Sequence, residues 1–242
     1  MCFHGSKSVT KYISQQFSTP VAGALPLMQN PSRNGSVLTK PAIVVFDLGK
    51  VLLDFDYAIA GRRIAAQANL PAAEVQKFLN QSPLLHRYET GPMTRQEFFE
   101  EVRQFTGFRG SLAEFSGFFA DIFSEMPPMI ALHAALRRQG IPTYIFSNTN
   151  DLAMEHIRRN FPFFAKFDGY ILSYEVRSMK PDARIYEALE AMTGKRGAEI
   201  LYLDDRPENV EAGAARGWQV ILQTDPAKSR AAIAQLGLLA PA

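Results

Sequence analysis

A chain of 242 residues, 47% hydrophobic and 21% charged, has the make-up of an ordinary globular protein with room for one substantial core and a smaller second one. No apolar run approaches the length of a membrane span, and the single cysteine, Cys2, excludes an internal disulfide, so a cytoplasmic protein with no membrane partner is expected. Four of the 26 basic residues precede Asp47 with no acid among them, which leaves 22 basic against 24 acidic side chains; the pI of 8.6 therefore belongs to the N-terminal stretch, and a nucleic-acid partner loses its support.

Residues 1–40 show neither helical nor strand periodicity and include Pro20, Pro26 and Pro31. The stretch is rich in Ser and free of acids, as organelle transit peptides are, but it holds one Arg and no amphipathic run. The expectation is a disordered extension, or a start assigned too early with Met28 as the alternative.

From Pro41 the chain alternates. Strands are expected over 42–47, 142–147, 169–173, 199–204 and 218–223, and helices over 151–160, 182–193, 207–216 and 226–236. Pro207 suits a first helical turn, Gly217 a helix stop, and Pro226 opens the terminal helix. This order predicts an α/β fold with a doubly wound parallel sheet.

Residues 57–125 break the alternation and read as helices without a convincing strand. Thr94-Arg95-Gln96-Glu97 and Ser111-Leu112-Ala113-Glu114 are capping boxes. The first precedes Phe98, Val102 and Phe105 on one helical face, the second Phe115, Phe118, Phe119, Ile122 and Phe123. Such a stripe reads as the core of a small bundle rather than a ligand pocket. An all-helical cap over 57–125 is therefore expected, inserted into a core made of 41–56 and 126–242. Asp54-Phe55-Asp56 and Pro127-Pro128 are its expected hinges.

Asp47 ends the first predicted strand, Ser147 and Asn148 follow the second, and Asp204-Asp205 end the fourth, while Lys180 lies ahead of a helix. Ligands of open α/β sheets bind outside the carboxyl ends of the strands, where these groups would gather. Taken singly, each reads as a turn, cap or surface residue. Adjacent carboxylates repel, however, unless a cation or donors compensate them. Carboxylates, a hydroxyl and one ammonium at a single rim suit Mg²⁺-dependent phosphoryl transfer.

Four segments in this order, Phe46-Asp47-Leu48-Gly49-Lys50-Val51, Phe146-Ser147-Asn148-Thr149-Asn150, Met179-Lys180-Pro181 and Leu203-Asp204-Asp205-Arg206-Pro207-Glu208-Asn209, resemble the motifs of the haloacid dehalogenase-like (HAD) hydrolases. The pattern is most similar to the branch of glucose-1-phosphate phosphatases and the N-terminal phosphatase domain of epoxide hydrolases. The resemblance spans about residues 42–225 and implies a HAD-like Rossmannoid core. It implies a phosphatase with Asp47 as nucleophile, forming an aspartyl-phosphate from a small phosphorylated substrate. It further implies Mg²⁺ held by Asp47, the Gly49 carbonyl and Asp205 with Asp204 in support. Ser147 and the Asn148 N–H would bind phosphate oxygens, and Lys180 would neutralise charge.

The sequence departs from the pattern at Gly49, where many phosphatases of this kind carry a second Asp that protonates the leaving oxygen. Asp54 and Asp56, near the hinge, are the nearest substitutes in sequence. Lys50 stands where Gly or Asn is commoner. The alternatives are a 2-haloacid dehalogenase, which the Asp204-Asp205 pair disfavours, and a catalytically weak HAD-like binding protein. Substrate choice would fall to cap residues, with His86, Arg87, Tyr88 and Glu89 expected in a turn before Thr94.

Overall fold

The run Ile43–Phe46 forms a strand, β1, that is buried along its whole length. A continuous apolar, β-branched run is what a parallel strand covered on both faces requires. In this computed structural model, which describes residues 39–239, four further parallel strands flank β1. They are β4 (Thr143–Ser147), β5 (Gly169–Leu172), β6 (Ile200–Asp204) and β7 (Gln219–Leu222), in the order β5-β4-β1-β6-β7. All five fall within a residue of the expected runs. The expected extension over residues 1–40 lies almost wholly outside the described residues.

Helices α6 (Pro127–Arg138), α7 (Asp151–Asn160), the short α8 (Ser173–Val176), α9 (Ala183–Thr193), α10 (Pro207–Ala215) and α11 (Pro226–Gln235) connect and cover the strands. Alternate side chains of each strand feed two separate cores. Val44, Phe46, Ile145, Leu201 and Leu203 pack with Met129, Leu136, Met154 and Ile233. Ile43, Val45, Phe146, Ile200 and Tyr202 pack with Ile185, Tyr186, Leu189 and Trp218 on the other side. The doubly wound fold follows from that division.

Helices α1 (Tyr57–Ala65), α2 (Ala72–Gln81), α3 (Pro83–Glu89), α4 (Arg95–Thr106) and α5 (Leu112–Ala120) fill the segment after β1. Both capping boxes form, at Thr94 and Ser111. Phe98, Phe115 and Phe119 are buried against Ile64, Leu79, Tyr88 and Val102, a third core in which the Phe stripe packs on itself. Among the described residues, no helix is long and apolar enough to cross a membrane.

Three local readings need correction. Asp54-Phe55-Asp56 is not bare hinge: β2 (Leu53–Phe55) pairs antiparallel with β3 (Phe123–Glu125), a strand within the segment read as wholly helical. A three-residue strand is too short to show alternation, and Phe123 also fits the helical stripe. Pro127 and Pro128, read as the other hinge, form the first turn of α6, where their missing N–H groups cost nothing. His86–Glu89, expected in a turn, form most of α3, which Pro83 opens.

The end of α3 presses on the α/β core at Gly91, whose φ of 78° lies in the left-handed region. A Cβ there would sit 2.2 Å from the Tyr174 carbonyl oxygen. Gly91→Ala is therefore expected to lower stability by about 1 kcal/mol or more, through backbone strain and this collision together. Urea unfolding of the two proteins measures it.

Candidate active site

The carboxyl ends of β1, β4 and β6 lie side by side, because Phe46 is in register with Ile145 on one flank and Leu203 on the other. Asp47, Ser147 and Asp204 therefore meet at one rim, where the strand order turns at β1. Lys180 reaches in from the loop before α9, its side chain fully buried. Its ammonium has three protons and three acceptors: Asp47 Oδ1 at 2.9 Å, Asp204 Oδ2 at 2.7 Å and the Phe146 carbonyl at 2.8 Å. The rings of Phe146 and Tyr202 stand 5.2 and 5.7 Å from Nζ and close off the water.

Asp204 is the most heavily bonded carboxylate of the site. Besides Lys180 it accepts from the Tyr202 hydroxyl, from Asn209 Nδ2 at 3.0 Å and from the Arg206 backbone N–H at 2.8 Å. Burial works to raise its pKa, yet Lys180 and these donors hold it below the usual carboxylate range. Asp205 is half-buried, and burial, followed by the charge of Asp204, pushes its carboxyl up. Asp47 goes furthest, up to about 8, through burial first; Asp204 and Asp205 add to the shift and Lys180 opposes it.

One oxygen from each of Asp47, Asp204 and Asp205 lies within 4.8 Å of the others. With all three ionised, a single ammonium leaves two negative charges uncompensated in a largely buried site. An all-oxygen donor set of that charge fits a hard divalent cation. Asp47 and Asp205 are the better placed to offer free lone pairs, since donors already occupy Asp204.

The loop after β4 is braced from two sides. Asn148 Oδ1 accepts from the Lys180 backbone N–H at 2.8 Å, and Asn148 Nδ2 donates to the Lys180 carbonyl at 3.0 Å. This amide clamp fixes the lysine's backbone. Ser173 Oγ bonds both the N–H and the carbonyl of Thr149, at 2.9 and 3.0 Å. Asn150 caps α7 through Ala153 N–H. The Ser147 hydroxyl makes one long bond, 3.3 Å to the Asn148 carbonyl, and so can turn to another acceptor.

Gly49 and Lys50 now have a structural account. A Cβ on Gly49 would lie 2.8 Å from Phe55 Cε1, so an aromatic ring occupies the space an acid would need there. Tyr57 and Phe123 hold that ring edge-on at centroid distances of 5.7 and 6.1 Å. Lys50 has a φ of 57°, a conformation Gly or Asn adopts more easily. Its ammonium binds Asp54 and the Phe55 carbonyl, staying on the β2 turn. Asp56 accepts from Ala58 N–H as the cap of α1. Both acids suggested in place of Gly49 are thus engaged elsewhere.

The four residues proposed for substrate choice separate. His86 and Arg87 are exposed, and Arg87 pairs with Glu101 within the helical segment. The Tyr88 hydroxyl bonds Asp151 at the start of α7. Glu89, the last residue of α3, is half-buried, and burial raises its carboxyl to about 7, with Asn150 and Arg206 pulling the other way. Sequence reasoning overlooked Tyr202, although its place two residues before Asp204 puts both side chains on one face of β6. It also overlooked Phe55 and Ser173, for which no sequence signal exists.

The sequence model of the haloacid dehalogenase-like hydrolases matches residues 41–217. A D-ribitol-5-phosphate phosphatase of Bacteroides thetaiotaomicron is 23% identical over 73% of this chain and 88% of its own. A sesquiterpene phosphatase of Aspergillus oryzae is 24% identical over 75% and 89%. Among solved structures, a HAD family enzyme of B. thetaiotaomicron in complex with magnesium and inorganic phosphate superposes with a TM-score of 0.66. It is 22% identical and covers 74% of this chain and 92% of that one. The L-2-haloacid dehalogenase of Xanthobacter autotrophicus gives 0.56 at 19% identity, over 74% and 76%.

Removing the shared cation should be costly even without substrate. Lys180→Met leaves two buried carboxylates facing one another, and breaking a buried ion pair from one side costs about 3–5 kcal/mol. The metal-free variant should show that loss by urea unfolding, and added Mg²⁺ should recover part of it.

Proposed function

Because the chain belongs to the haloacid dehalogenase-like hydrolases, as a phosphatase with Mg²⁺ as its cofactor, we propose that it hydrolyses a small phosphorylated metabolite, of the sugar-phosphate kind, through an aspartyl-phosphate on Asp47. The observation that carries this reading is the meeting of Asp47, Asp204 and Asp205 around the buried Lys180 at three adjacent strand ends.

Phosphate monoesters are among the slowest esters to hydrolyse unaided, so the site must supply both a nucleophile and charge neutralisation. A carboxylate oxygen of Asp47 attacks phosphorus, and the step divides into formation and hydrolysis of an acyl phosphate. Asp47, Asp205 and the Gly49 carbonyl would hold Mg²⁺, with Asp204 in support, and the bound ion would supply Lewis-acid neutralisation of phosphoryl charge. Lys180 fixes the direction of the Asp47 carboxylate and offsets one of the two charges of Asp47 and Asp204. Ser147 Oγ and the Asn148 N–H receive phosphate oxygens, a role the weak hydroxyl contact of Ser147 supports. The α1–α5 segment acts as a cap whose inner face selects the leaving group.

The ribitol-phosphate relative supports a polyol or sugar phosphate. The sesquiterpene relative makes an apolar phosphate the natural comparison. A dehalogenase reading fits less well, since three carboxylates at the rim would repel a carboxylate substrate.

The test is turnover of para-nitrophenyl phosphate, acetyl phosphate, ribitol 5-phosphate, glucose 1-phosphate and farnesyl phosphate. Activity should vanish in EDTA, return with Mg²⁺, and be lost in Asp47→Asn without loss of fold. Turnover that persists in EDTA would overturn the reading. Asp205→Asn should raise the Mg²⁺ concentration needed for half-maximal rate with little change in stability. Asp204→Asn should instead lower the unfolding midpoint, because it removes the negative charge opposite the buried Lys180 and leaves one acceptor oxygen where Lys180, Tyr202, Asn209 and the Arg206 N–H now share two.

A further inference from the structure

Helix α7 serves two cores. Ala153, Met154 and Ile157 pack with Val44, Phe46 and Ile145 on one side of the sheet. Leu152, from the adjoining face, is buried in the apolar core of the helical segment, whose other buried members run from Ala60 to Ile122. Positions 151, 152, 155 and 156 recur at helical spacing and share that face. Asp151 Oδ2 accepts from Arg95 Nε at 2.7 Å, and Asp151 Oδ1 accepts from the Tyr88 hydroxyl. Glu155 accepts from Arg95 Nη1 at 2.8 Å, and His156 Nε2 stands 3.8 Å from Asp121 Oδ1. Tyr88 and Arg95 lie in the middle of the segment, far along the chain from both β2 and β3.

The seam around these bonds is not packed solid. Two cavities of about 500 and 320 Å³ open along it, and Arg95, Asp151 and Tyr174 line both. The Arg95 and Asp151 side chains are 39% and 31% exposed, so their ion pair stands at the edge of water. A seam held at a few polar points beside open space parts when those bonds break, whereas a close-packed core resists. Tyr88 differs from Arg95: its ring is buried and stacked on Phe98 at 4.3 Å, so its hydroxyl depends on Asp151 for an acceptor.

Asp151 is also one peptide bond from the loop after β4. Asn150 caps α7, Thr149 is held by Ser173, and Asn148 clamps the backbone of Lys180. We propose that Asp151 is a positioning residue: with Arg95 and Tyr88 it latches the helical cap shut on the core, and it joins that latch to the loop beside Ser147. The role of the cap in substrate binding rests on the proposed function; the latch itself rests on the bonds. With the latch closed, the cap lies over the strand ends. With Tyr88 and Arg95 released, the segment is held by its connecting strands and by Leu152. A substrate whose leaving group needs the cap then binds more weakly, in proportion to the closed fraction.

Arg95→Ala and Tyr88→Phe remove the cap's half of the latch and leave the core unchanged. Hydrogen exchange on the full-length protein should quicken about fivefold over residues 83–95 in each, with α9 exchanging as in the wild type. Arg95→Lys, which keeps the charge, should restore part of the protection. Asp151→Asn should quicken exchange over 83–95 and over 147–151 together. In both cap variants KM for ribitol 5-phosphate should rise about fivefold without loss of kcat. Acetyl phosphate offers the cap little to hold, and its KM should change less than about twofold. Wild-type exchange over 83–95 in both Arg95→Ala and Tyr88→Phe, or equal changes in KM for the two phosphates, would overturn the latch. A wild type inactive toward every phosphate with Mg²⁺ would overturn the phosphatase reading instead, and the exchange rates would still decide the latch.

Discussion

The buried ammonium of Lys180 is the constraint on which the rest of the site depends. It spends all its protons on Asp47, Asp204 and the Phe146 carbonyl, and so ties three strand ends together from inside. A lysine this deep is tolerable only because two carboxylates repay its desolvation. The arrangement recruits further parts. Tyr202 and Asn209 complete Asp204, and Asn148 grips the lysine's own backbone. Once Lys180 and its partners are in place, the remaining excess of negative charge is shared by Asp47 and Asp205.

The helical segment bears on this centre at two points with different physics. At β2 and β3 the chain crosses twice in an antiparallel pair, which sets Phe55 over Gly49 and excludes a side chain there. At the end of α3, backbone meets backbone at Gly91, and an ion pair with a hydroxyl converges on Asp151. The first contact removes an acid from beside the nucleophile. The second anchors the end of α3 to the start of α7 through Asp151.

Much of this was legible in the residues. The five core strands announced themselves as short apolar runs because each is covered on both faces, and the capping boxes at Thr94 and Ser111 marked two helices by local bonding alone. Asp47, Ser147, Lys180 and Asp204-Asp205 stood out because each follows a strand or opens a helix. β2 and β3 were not legible, because a three-residue strand has no period to detect and exists only through its partner. The helical state of His86–Glu89 was missed for a similar reason: a seven-residue helix shows one turn of pattern and borrows its stability from packing.

The sequence by itself determined the doubly wound sheet, the helical insertion and the identity of the acids and the lysine that meet at the rim, because these follow from local periodicity and strand ends. Only the tertiary structure decided how they are used. Which groups Lys180 ties together and why position 49 has no room for a side chain depend on groups far apart in the chain, as Phe123 beside Phe55 shows. Lys180 between Asp47 and Asp204, Tyr88 on Asp151 and Gly91 against the Tyr174 carbonyl are such meetings. Charge, desolvation and steric exclusion act over a few ångströms of space, and the distance between residues along the chain does not measure that.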